Sequence, residues 1–372
     1  MKSKLFFLLC LIICAASCQD KSESVYIGSI MDLSSDNDEY GKNVQKGMNL
    51  ALMEYKKTHP NCKVSILYED NAGDASKTLS AYYKMVMKAK PIVIVDGAQS
   101  TLSLSLVPQV EKDEIVLLST GASSPKLTGI SPYFFRLWNC DTEEGSFIAE
   151  QIFNTFGIKS TNILYLNTDY GIGLMSTFKI KYEQLGGSLG SVVAFEKNQS
   201  DFKECVAKIN TTPAEGIYIV GYAKETALIS KYIRSVGMTT PIFSTVATEA
   251  DQFIKLAGNA GNGVIYAYTQ PSINEEYLSF REKYKAKYDE DPQILTDVAF
   301  DAMNILLDAI EVGEVVNGKM LKDYLSNMPE YKGASGNIKF DKDGNVHKGM
   351  ILKIVKDNKF MDYTKTKDFN YE

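Results

Sequence analysis

The side chains that most often carry out acid–base and metal chemistry are scarce in this chain. It has only two histidines, His59 and His347, and neither has a partner at the spacing of a catalytic triad or a metal site. We therefore expect both imidazoles to face solvent. The acids Glu143 and Glu144 and the run Asp289–Asp291 are interpreted as a helix start and a solvated turn. No active site assembles, so the sequence does not predict an enzyme.

Two glycine-rich segments partly match nucleotide-binding motifs. Gly313–Lys319 fits the first seven positions of a P-loop, but Met320 stands where serine or threonine is required, and a helical pattern precedes it. Gly258–Gly263 has its glycines in the order G-x-x-G-x-G and leads into a strand. A dinucleotide-binding motif has the opposite order, G-x-G-x-x-G, and leads from a strand into a helix. Both segments are predicted to be loops or turns, and no cofactor is predicted.

Cysteine usage and charge exclude further classes. Beyond residue 18 only Cys62, Cys140 and Cys205 remain, without the C-x-x-C spacing of zinc or redox sites. At most one disulfide can form within the chain, and which cysteines pair is left open. The formal net charge is −6 and no lysine or arginine cluster occurs, so the electrostatic footprint of a nucleic-acid binder is missing. We predict no nucleic-acid partner and no metal.

The N-terminus has the features of an export signal. Two lysines precede an apolar run over Leu5–Cys14, which is shorter than the roughly 20 residues that span a bilayer. Ala15–Cys18 resembles the lipobox of bacterial lipoproteins, although that pattern prefers leucine at the position of Ala15. We predict a signal peptide over residues 1–17, lipid attachment at Cys18 and a polar tether over residues 18–24. A plain signal peptide is the alternative, and which membrane holds the protein is left open.

From Val25 onward, short apolar strands alternate with longer segments of helical period, which is typical of parallel sheets covered by helices. Two sets of strands are predicted, over residues 25–31, 63–68, 92–95 and 115–118, and over residues 162–166, 191–195, 216–220, 242–243 and 264–266. Long helices follow over Glu275–Tyr288 and Ile294–Glu311. A turn at Asp343–Asn345 is predicted to join strands Asn337–Phe340 and Met350–Val355 as a hairpin. The fold class is therefore α/β, with two similar lobes.

Eight short motifs, in order along the chain, point to a family. Ile27–Ser34 followed by Tyr40 and Gly41 resembles the opening of the branched-chain amino acid (Leu/Ile/Val) binding proteins, the receptors of ATP-driven importers. The likeness continues through Tyr68–Asn71, Gly97–Ser100, Leu118–Thr128, Asp169–Gly173, Gly221–Tyr222, Leu256–Gly258 and Phe300–Ala302. It implies a periplasmic binding protein type 1 fold, in which two Rossmann-like lobes joined by a three-crossover hinge close on a small ligand.

The resemblance also implies domain limits and partners. The N-terminal lobe would comprise residues 25–138 plus 268–332, and the C-terminal lobe residues 139–267 plus 333–372. The chain would act as a monomer that delivers its ligand to the membrane permease of an ABC importer. A sensory receptor of the same fold is the alternative from another class. A lipid-anchored enzyme such as an amidase would need a nucleophile and a base that the sequence does not supply.

The predicted carboxylate site lies in two loops of the first lobe. Ser100 follows a strand and precedes a helix, so its hydroxyl and nearby backbone N–H groups can face an anion. Gly121, Ala122 and Ser123 follow the next strand, at the edge where open α/β sheets bind ligands. In the family that the chain resembles, the position of Ser123 offers a hydroxyl to the ligand carboxylate, and that of Gly121 offers its carbonyl to an ammonium. Helix or turn caps are the alternative role for the two serines.

Aromatic residues complete the predicted site. Tyr40, Tyr170 and Tyr222 match positions that wall the cleft in the family, with ordinary core or surface tyrosines as the alternative. Trp138, the only tryptophan, lies at the first predicted crossover, where hinge packing and ligand contact are both open.

One departure from the family concerns the charge on the ligand. The amino-acid binders carry an acid that neutralises the ligand ammonium, whereas the matching stretch here is Ser244–Thr248, with Val246 predicted to line the site. An ammonium buried without a counter-charge is costly, so this loss argues against a tightly held α-amino acid. Glu249 could substitute only if the loop were shifted. The predicted ligand is a small apolar amino acid, with a carboxylate or an amide that lacks the amine as the alternative.

Overall fold

The computed structural model describes residues 24–364. The predicted signal peptide and the predicted lipid site at Cys18 lie outside the described residues. Helices and mostly parallel sheets alternate along the chain, which confirms the predicted α/β class. Within the described residues, no helix has the length and apolar character needed to cross a membrane.

The first sheet is built from five parallel strands. These are β1 Tyr26–Met31, β2 Ser65–Asp70, β3 Val93–Asp96, β4 Val116–Ser119 and β5 Phe134–Arg136. Their order across the sheet is β2-β1-β3-β4-β5. Every residue of β3 and β4 is buried, because helices cover both faces of a parallel sheet and leave no solvated side.

The second sheet repeats this arrangement and extends it. The remaining strands are β6 Ser160–Leu166, β7 Ser188–Phe195, β8 Gly216–Val220, β9 Ile242–Ser244, β10 Ile265–Thr269, β11 Tyr331–Gly333, β12 Gly336–Ile338, β13 Met350–Lys356 and β14 Lys359–Asp362. The second sheet runs β7-β6-β8-β9-β10-β13-β14, and only β13 and β14 are antiparallel to their neighbours. Its first five strands therefore have the same order as the first sheet.

The helices that cover the sheets are α1 Glu39–Thr58, α2 Ala75–Ala89, α3 Ser100–Lys112, α4 Asp141–Glu150, α5 Asp169–Gln184, α6 Lys203–Asn210, α7 Ala223–Ser235, α8 Asp251–Ala257, α9 Glu275–Tyr288, α10 Thr296–Leu307 and α11 Gly318–Asn327. The chain passes between the two sheets three times, after β5, after β10 and after β12. After the first crossing α4 packs on α5, after the second α10 packs on α1, and after the third β13 joins β10. This is the three-crossover hinge that the family resemblance implies.

Two predictions about the sheets differ from the structure. The hairpin centred on Asp343–Asn345 is wrong, because β12 pairs with β11 and β13 pairs with β10 instead of with each other. Strand β5 was not predicted, since it is only three residues long and ends in the buried Arg136. The lobe limits stay a prediction; the third limit, after residue 332, falls inside the β11–β12 hairpin.

Candidate functional site

Six of the predicted binding residues line one small cavity between the two lobes, which we call the cleft cavity. Its walls are Tyr40, Ala98, Gly121, Ser123, Trp138, Tyr170, Tyr222, Val246, Ala247, Ile294 and Leu295. The enclosed volume is about 30 Å³, which is room for a water molecule or two. The cleft is therefore closed around very little space.

Ser100 and Ala122 lie one layer behind this cavity. The Ser100 hydroxyl accepts hydrogen bonds from the backbone N–H groups of Ser123 and Ser124, at 3.2 and 3.1 Å. The N–H of Ala122 donates to the hydroxyl of Ser119 at 3.0 Å. Both contacts fix the loop that presents Gly121 and Ser123 to the cleft. A direct contact of Ser100 or Ala122 with a ligand stays a prediction.

A tyrosine followed by a glycine lies in the first turn of α1, which follows β1, and of α5, which follows β6. A Cβ atom at Gly41 would lie 2.0 Å from the carbonyl oxygen of Asp32, and one at Gly171 would lie 2.0 Å from that of Leu166. Only glycine lets the helix start this close to the strand that precedes it. Because the helix starts are held there, Tyr40 and Tyr170 project from opposite lobes into the same cleft.

Tyr40 also bridges the lobes by hydrogen bonds. Its hydroxyl donates to the carbonyl of Ala247 at 2.9 Å and accepts from the N–H of Ala223 at 3.2 Å. The ring centroid lies 5.8 Å from that of Tyr222, which in turn stacks on Tyr170 at 5.3 Å. Burial raises the pKa of the Tyr40 hydroxyl well above its usual value, so the group stays neutral and can donate. These three aromatic side chains fill the closed cleft.

Two buried acids that the sequence analysis did not assign to the binding site lie behind the cleft wall. Asp141 and Glu144 begin α4 and are 0% and 3% exposed. The N–H of Asp141 donates to the carbonyl of Ser123 at 2.8 Å, while neither carboxylate oxygen of Asp141 makes a hydrogen bond of normal geometry. Burial raises the pKa of Asp141 to about 7, and the Ser123 hydroxyl and the Arg136 guanidinium only partly offset this effect.

Glu144 contacts the loop Ser244–Thr248, which lacks the acid found in the amino-acid binders. Its carboxylate accepts a hydrogen bond from the N–H of Val246 at 2.9 Å. Burial and the neighbouring Asp141 carboxylate raise the pKa of Glu144 well above its usual value. The hydroxyls of Tyr170 and Tyr218 are buried and make no hydrogen bond of normal geometry, and the charges of both acids act on them. The cleft therefore has unpaired polar groups behind its wall although Val246 itself is apolar.

Glu249 does not substitute for the missing acid. Its carboxylate forms an ion pair with Lys353 and accepts a hydrogen bond from the Tyr266 hydroxyl, outside the cleft cavity. His347 is exposed, as predicted, yet its two ring nitrogens contact the carboxylates of Glu143 and Asp341. Within residues 24–364, no group of three or more histidine, cysteine or acidic side chains could hold a metal ion. Each of the three cysteines in that range is free.

The apolar part of the wall was also missed by sequence reasoning. Ala98, Ala247, Ile294 and Leu295 carry no chemical signature, so nothing in their types indicates a site. Leu295 adopts a left-handed backbone conformation with φ of 70°, which is strained for a leucine, and it is only 2% exposed. Strain of this kind accumulates at ligand sites, but it can be seen only in the structure.

Known proteins resemble this chain in sequence over most of its length. A family model described as periplasmic binding protein matches residues 24–359. Leu/Ile/Val-binding protein homolog 1 of Brucella suis is 21% identical over 324 residues, which cover 86% of this chain and 87% of that relative.

Solved structures share the same fold. A leucine-binding protein, LivK, from Thermotoga maritima superimposes with a TM-score of 0.86 at 25% identity, covering 91% of this chain and 98% of that one. A solute-binding protein of an ABC transporter from R. palustris, solved in complex with benzoate, gives a TM-score of 0.84 at 17% identity, covering 91% of this chain and 95% of that one. At that identity the second likeness shows the fold alone.

Proposed function

The chain belongs to the periplasmic binding protein family, and we propose that it is the lipid-anchored solute receptor of an ABC importer. Family membership confirms the resemblance found in the sequence and makes the chain an extracytoplasmic substrate-binding protein, not an enzyme. The proposal adds three points to this class. These are the chemistry of the ligand, the lipid on Cys18 and delivery to a membrane permease.

The observation that carries the proposal is the convergence of residues from both lobes on the cleft cavity. Gly121 and Ser123 come from the first lobe, and Tyr170, Tyr222 and Val246 from the second. With about 30 Å³ enclosed, a ligand can enter only when the lobes separate. A ligand that contacts both lobes then favours the closed state by its extra affinity for that state. In this scheme the chain acts as a monomer of two lobes, with the limits predicted above.

The proposed ligand is a branched-chain or other apolar amino acid. Its carboxylate would bind the hydroxyl of Ser123 and backbone N–H groups of the same loop. Its ammonium would pair with the carboxylate of Asp141, which has no hydrogen-bond partner of normal geometry and whose backbone N–H donates to the Ser123 carbonyl. Asp141 would thus provide the counter-charge that is lost at Val246. The names of the Brucella and Thermotoga relatives, which refer to leucine, isoleucine and valine, support this class.

A carboxylate without an amine is the second candidate ligand. The apolar Val246 and the raised pKa values of Asp141 and Glu144 favour neutral, protonated acids directly behind the cleft wall. Such groups can donate hydrogen bonds to a carboxylate and do not require a cation. The benzoate bound to the R. palustris protein is a ligand of this kind.

A ligand screen by thermal denaturation tests both candidates. We expect one class of compound to stabilise the purified protein, by roughly 2.7 kcal/mol at about 100 times its dissociation constant. Ser123→Ala should weaken binding of either class. Asp141→Asn should weaken an amino acid strongly and leave an amine-free carboxylate little changed. If no amino acid, aromatic acid, keto acid or amide shifts the melting temperature, the cleft does not bind the proposed ligands.

The membrane anchor is tested separately. Labelling of the expressing bacterium with an alkyne-bearing fatty acid should mark the wild-type protein and not the Cys18→Ser variant. A label that persists in Cys18→Ser would place the lipid elsewhere. Association with a permease is tested by affinity capture with the importer's membrane subunits.

A further inference from the structure

A second cavity lies at the hinge, and we call it the hinge cavity. Its volume is about 610 Å³, within the range of about 300–1,000 Å³ found for small-molecule sites. Each of the three crossings supplies part of its wall, Trp138 from the first, Gln270 to Ser272 from the second and Lys348 from the third, and Ser335 of the β11–β12 turn adds to it. Nothing in the proposed function of the cleft uses this space.

Hydrogen bonds between the crossings hold the wall of the hinge cavity together. The N–H of Lys348 donates to the Asn139 side chain at 2.8 Å, and that side chain donates back to the Lys348 carbonyl at 2.7 Å. The N–H of Gln270 donates to the carbonyl of Gly349 at 2.7 Å. The cavity is therefore walled in part by the segments that connect the two lobes.

Two side chains of opposite charge in this wall lack an ion-pair partner. The ammonium of Lys348 donates to the hydroxyl of Ser335 at 2.9 Å, which uses one of its three donors. The carboxylate of Asp297 accepts from the N–H of Val298 at 2.8 Å. Among the described residues, neither Lys348 nor Asp297 is part of an ion pair.

Burial has the largest effect on the pKa values of these two groups. Burial lowers the pKa of Lys348, and the nearby carboxylates of Asp297 and Asp301 only partly oppose this effect. Burial likewise raises the pKa of Asp297 against the attraction of Lys348. Another lysine and acid in the same wall do form an ion pair, because the Lys353 ammonium contacts the Glu249 carboxylate directly.

Aromatic rings surround the acidic end of the cavity. Tyr268 and Tyr277 line it, and the charge of Asp297 acts on both hydroxyls. Trp138 packs edge-on against Tyr268, with 6.4 Å between the ring centroids. Ring faces attract cations, and Lys353 already lies 4.8 Å from the centroid of Tyr268. An acid among such rings suits an ammonium, while the free donors of Lys348 suit a carboxylate.

We propose that the hinge cavity is a second binding site, for a small zwitterion whose carboxylate contacts Lys348 and whose ammonium contacts Asp297. A free amino acid has this chemistry and fits the volume. The site is separate from the cleft cavity, but Trp138 and Ile294 line both. Because all three crossings contribute to its wall, occupancy biases the hinge, and by linkage each site changes the affinity of the other.

Trp138 provides the test, because it is the only tryptophan in the chain and lines both cavities. The twenty L-amino acids are titrated singly into the full-length protein while its tryptophan emission is recorded, and calorimetry gives the stoichiometry. We expect at least one amino acid to bind at the hinge. Asp297→Asn and Lys348→Met should each weaken that binding about tenfold or more, because each removes a charge-assisted hydrogen bond.

Controls separate this proposal from the function of the cleft. Lys339→Met and Asp201→Asn remove exposed charges outside the cavity and should change nothing. Tyr277→Leu changes the wall without leaving a charge unpaired, and it should also weaken binding at the hinge cavity. This variant tests the proposal even if a charge variant does not fold. If the cleft binds no amino acid, calorimetry should still show binding of one amino acid per protein, at the hinge cavity. That binding should be weakened in Asp297→Asn. Binding to the folded protein that all three hinge variants leave unchanged, or no binding of any amino acid, overturns the proposal.

Discussion

The two cavities share Trp138 and Ile294 but differ in how their charged groups are held. In the cleft cavity of about 30 Å³, aromatic rings fill the space and the acids lie behind the wall. In the hinge cavity of about 610 Å³, an unpaired lysine and an unpaired aspartate are part of the wall itself. Of the two cavities in this closed arrangement, only the hinge cavity has room for a ligand of amino-acid size.

The difference shows that closure alone does not decide where a ligand can sit. The cleft must open before it binds, since its enclosed volume is too small for an amino acid. The hinge cavity can be filled while the lobes are closed. Four variants would break or sharpen this contrast.

The largest effect is expected from Gly171→Ala. The new methyl group would lie 2.0 Å from the Leu166 carbonyl oxygen, so α5 must move away from β6 and take Tyr170 with it. We expect a loss of about 3 kcal/mol in the free energy of unfolding, measured by chemical denaturation. Gly97→Ala is the matched control, because its Cβ would meet nothing closer than 3.5 Å. Equal stability of the two variants would contradict the close-approach argument.

Tyr40→Phe should weaken closure of the cleft without altering the wall of the hinge cavity. It removes the hydrogen bonds to Ala247 and from Ala223 that join the lobes. The closed state should lose about 1–2 kcal/mol relative to the open one. Small-angle scattering should then report a larger radius of gyration in the absence of ligand. Tyr83→Phe, at a tyrosine that is 47% exposed, is the control and should leave the radius unchanged.

Asp141→Asn should change how stability depends on pH. The pKa of Asp141 is raised to about 7 in the folded protein, so the folded state holds this proton more tightly than the unfolded state. Its contribution is therefore complete at low pH and is lost as the pH rises toward and through 7. The variant should show a shallower fall of the unfolding free energy between about pH 4 and 7.

Other buried acids act in the same direction and set the background for that measurement. Asp96 and Asp301 have pKa values raised by burial to about 7 and about 6, so the slope should decrease and not vanish. Asp201→Asn, at an exposed acid, should reproduce the wild-type slope. An unchanged slope in Asp141→Asn would mean that this carboxyl is not protonated near neutral pH.

The smallest effect is expected from Lys224→Met. Lys224 forms an ion pair with Asp36 across the cleft, but the Asp36 side chain is 62% exposed and the pair is screened by solvent. We expect less than about 0.5 kcal/mol on closure, decreasing further in high salt. A larger cost would mean that exposed charges, and not the buried tyrosines, hold the lobes together.

The sequence was sufficient to predict the central parallel strands of both sheets. It was not sufficient to predict how the strands near the C-terminus pair. Parallel strands buried on both faces appear as apolar runs, so β3, β4 and β8 were found within a residue or two. The turn at Asp343–Asn345 is real, since the Asp341 side chain accepts hydrogen bonds from the N–H groups of Asp343 and Asn345. Local turn chemistry, however, did not determine that β13 would pair with β10.

The site was predictable where chemistry and position coincide. Tyr40, Ser123 and Tyr170 could be found from the family motifs, and the structure brings them to one cavity. Asp141 and Glu144 could not, because acids at a helix start normally face solvent. Their burial depends on contacts such as that between Glu144 and Val246, which are 102 residues apart in the chain.

The shared strand order of the two sheets has a consequence for the cleft. The first strand of each sheet along the chain is β1 or β6, and both occupy the second place in the strand order. Each leads to a helix with Tyr-Gly in its first turn, at Tyr40 and at Tyr170. The two tyrosines therefore occupy corresponding positions in the two lobes, each in the first turn of the helix that follows the first strand of its sheet. Ligand selectivity must then come from residues that break this correspondence, and Val246 and Asp141 are the ones to exchange first.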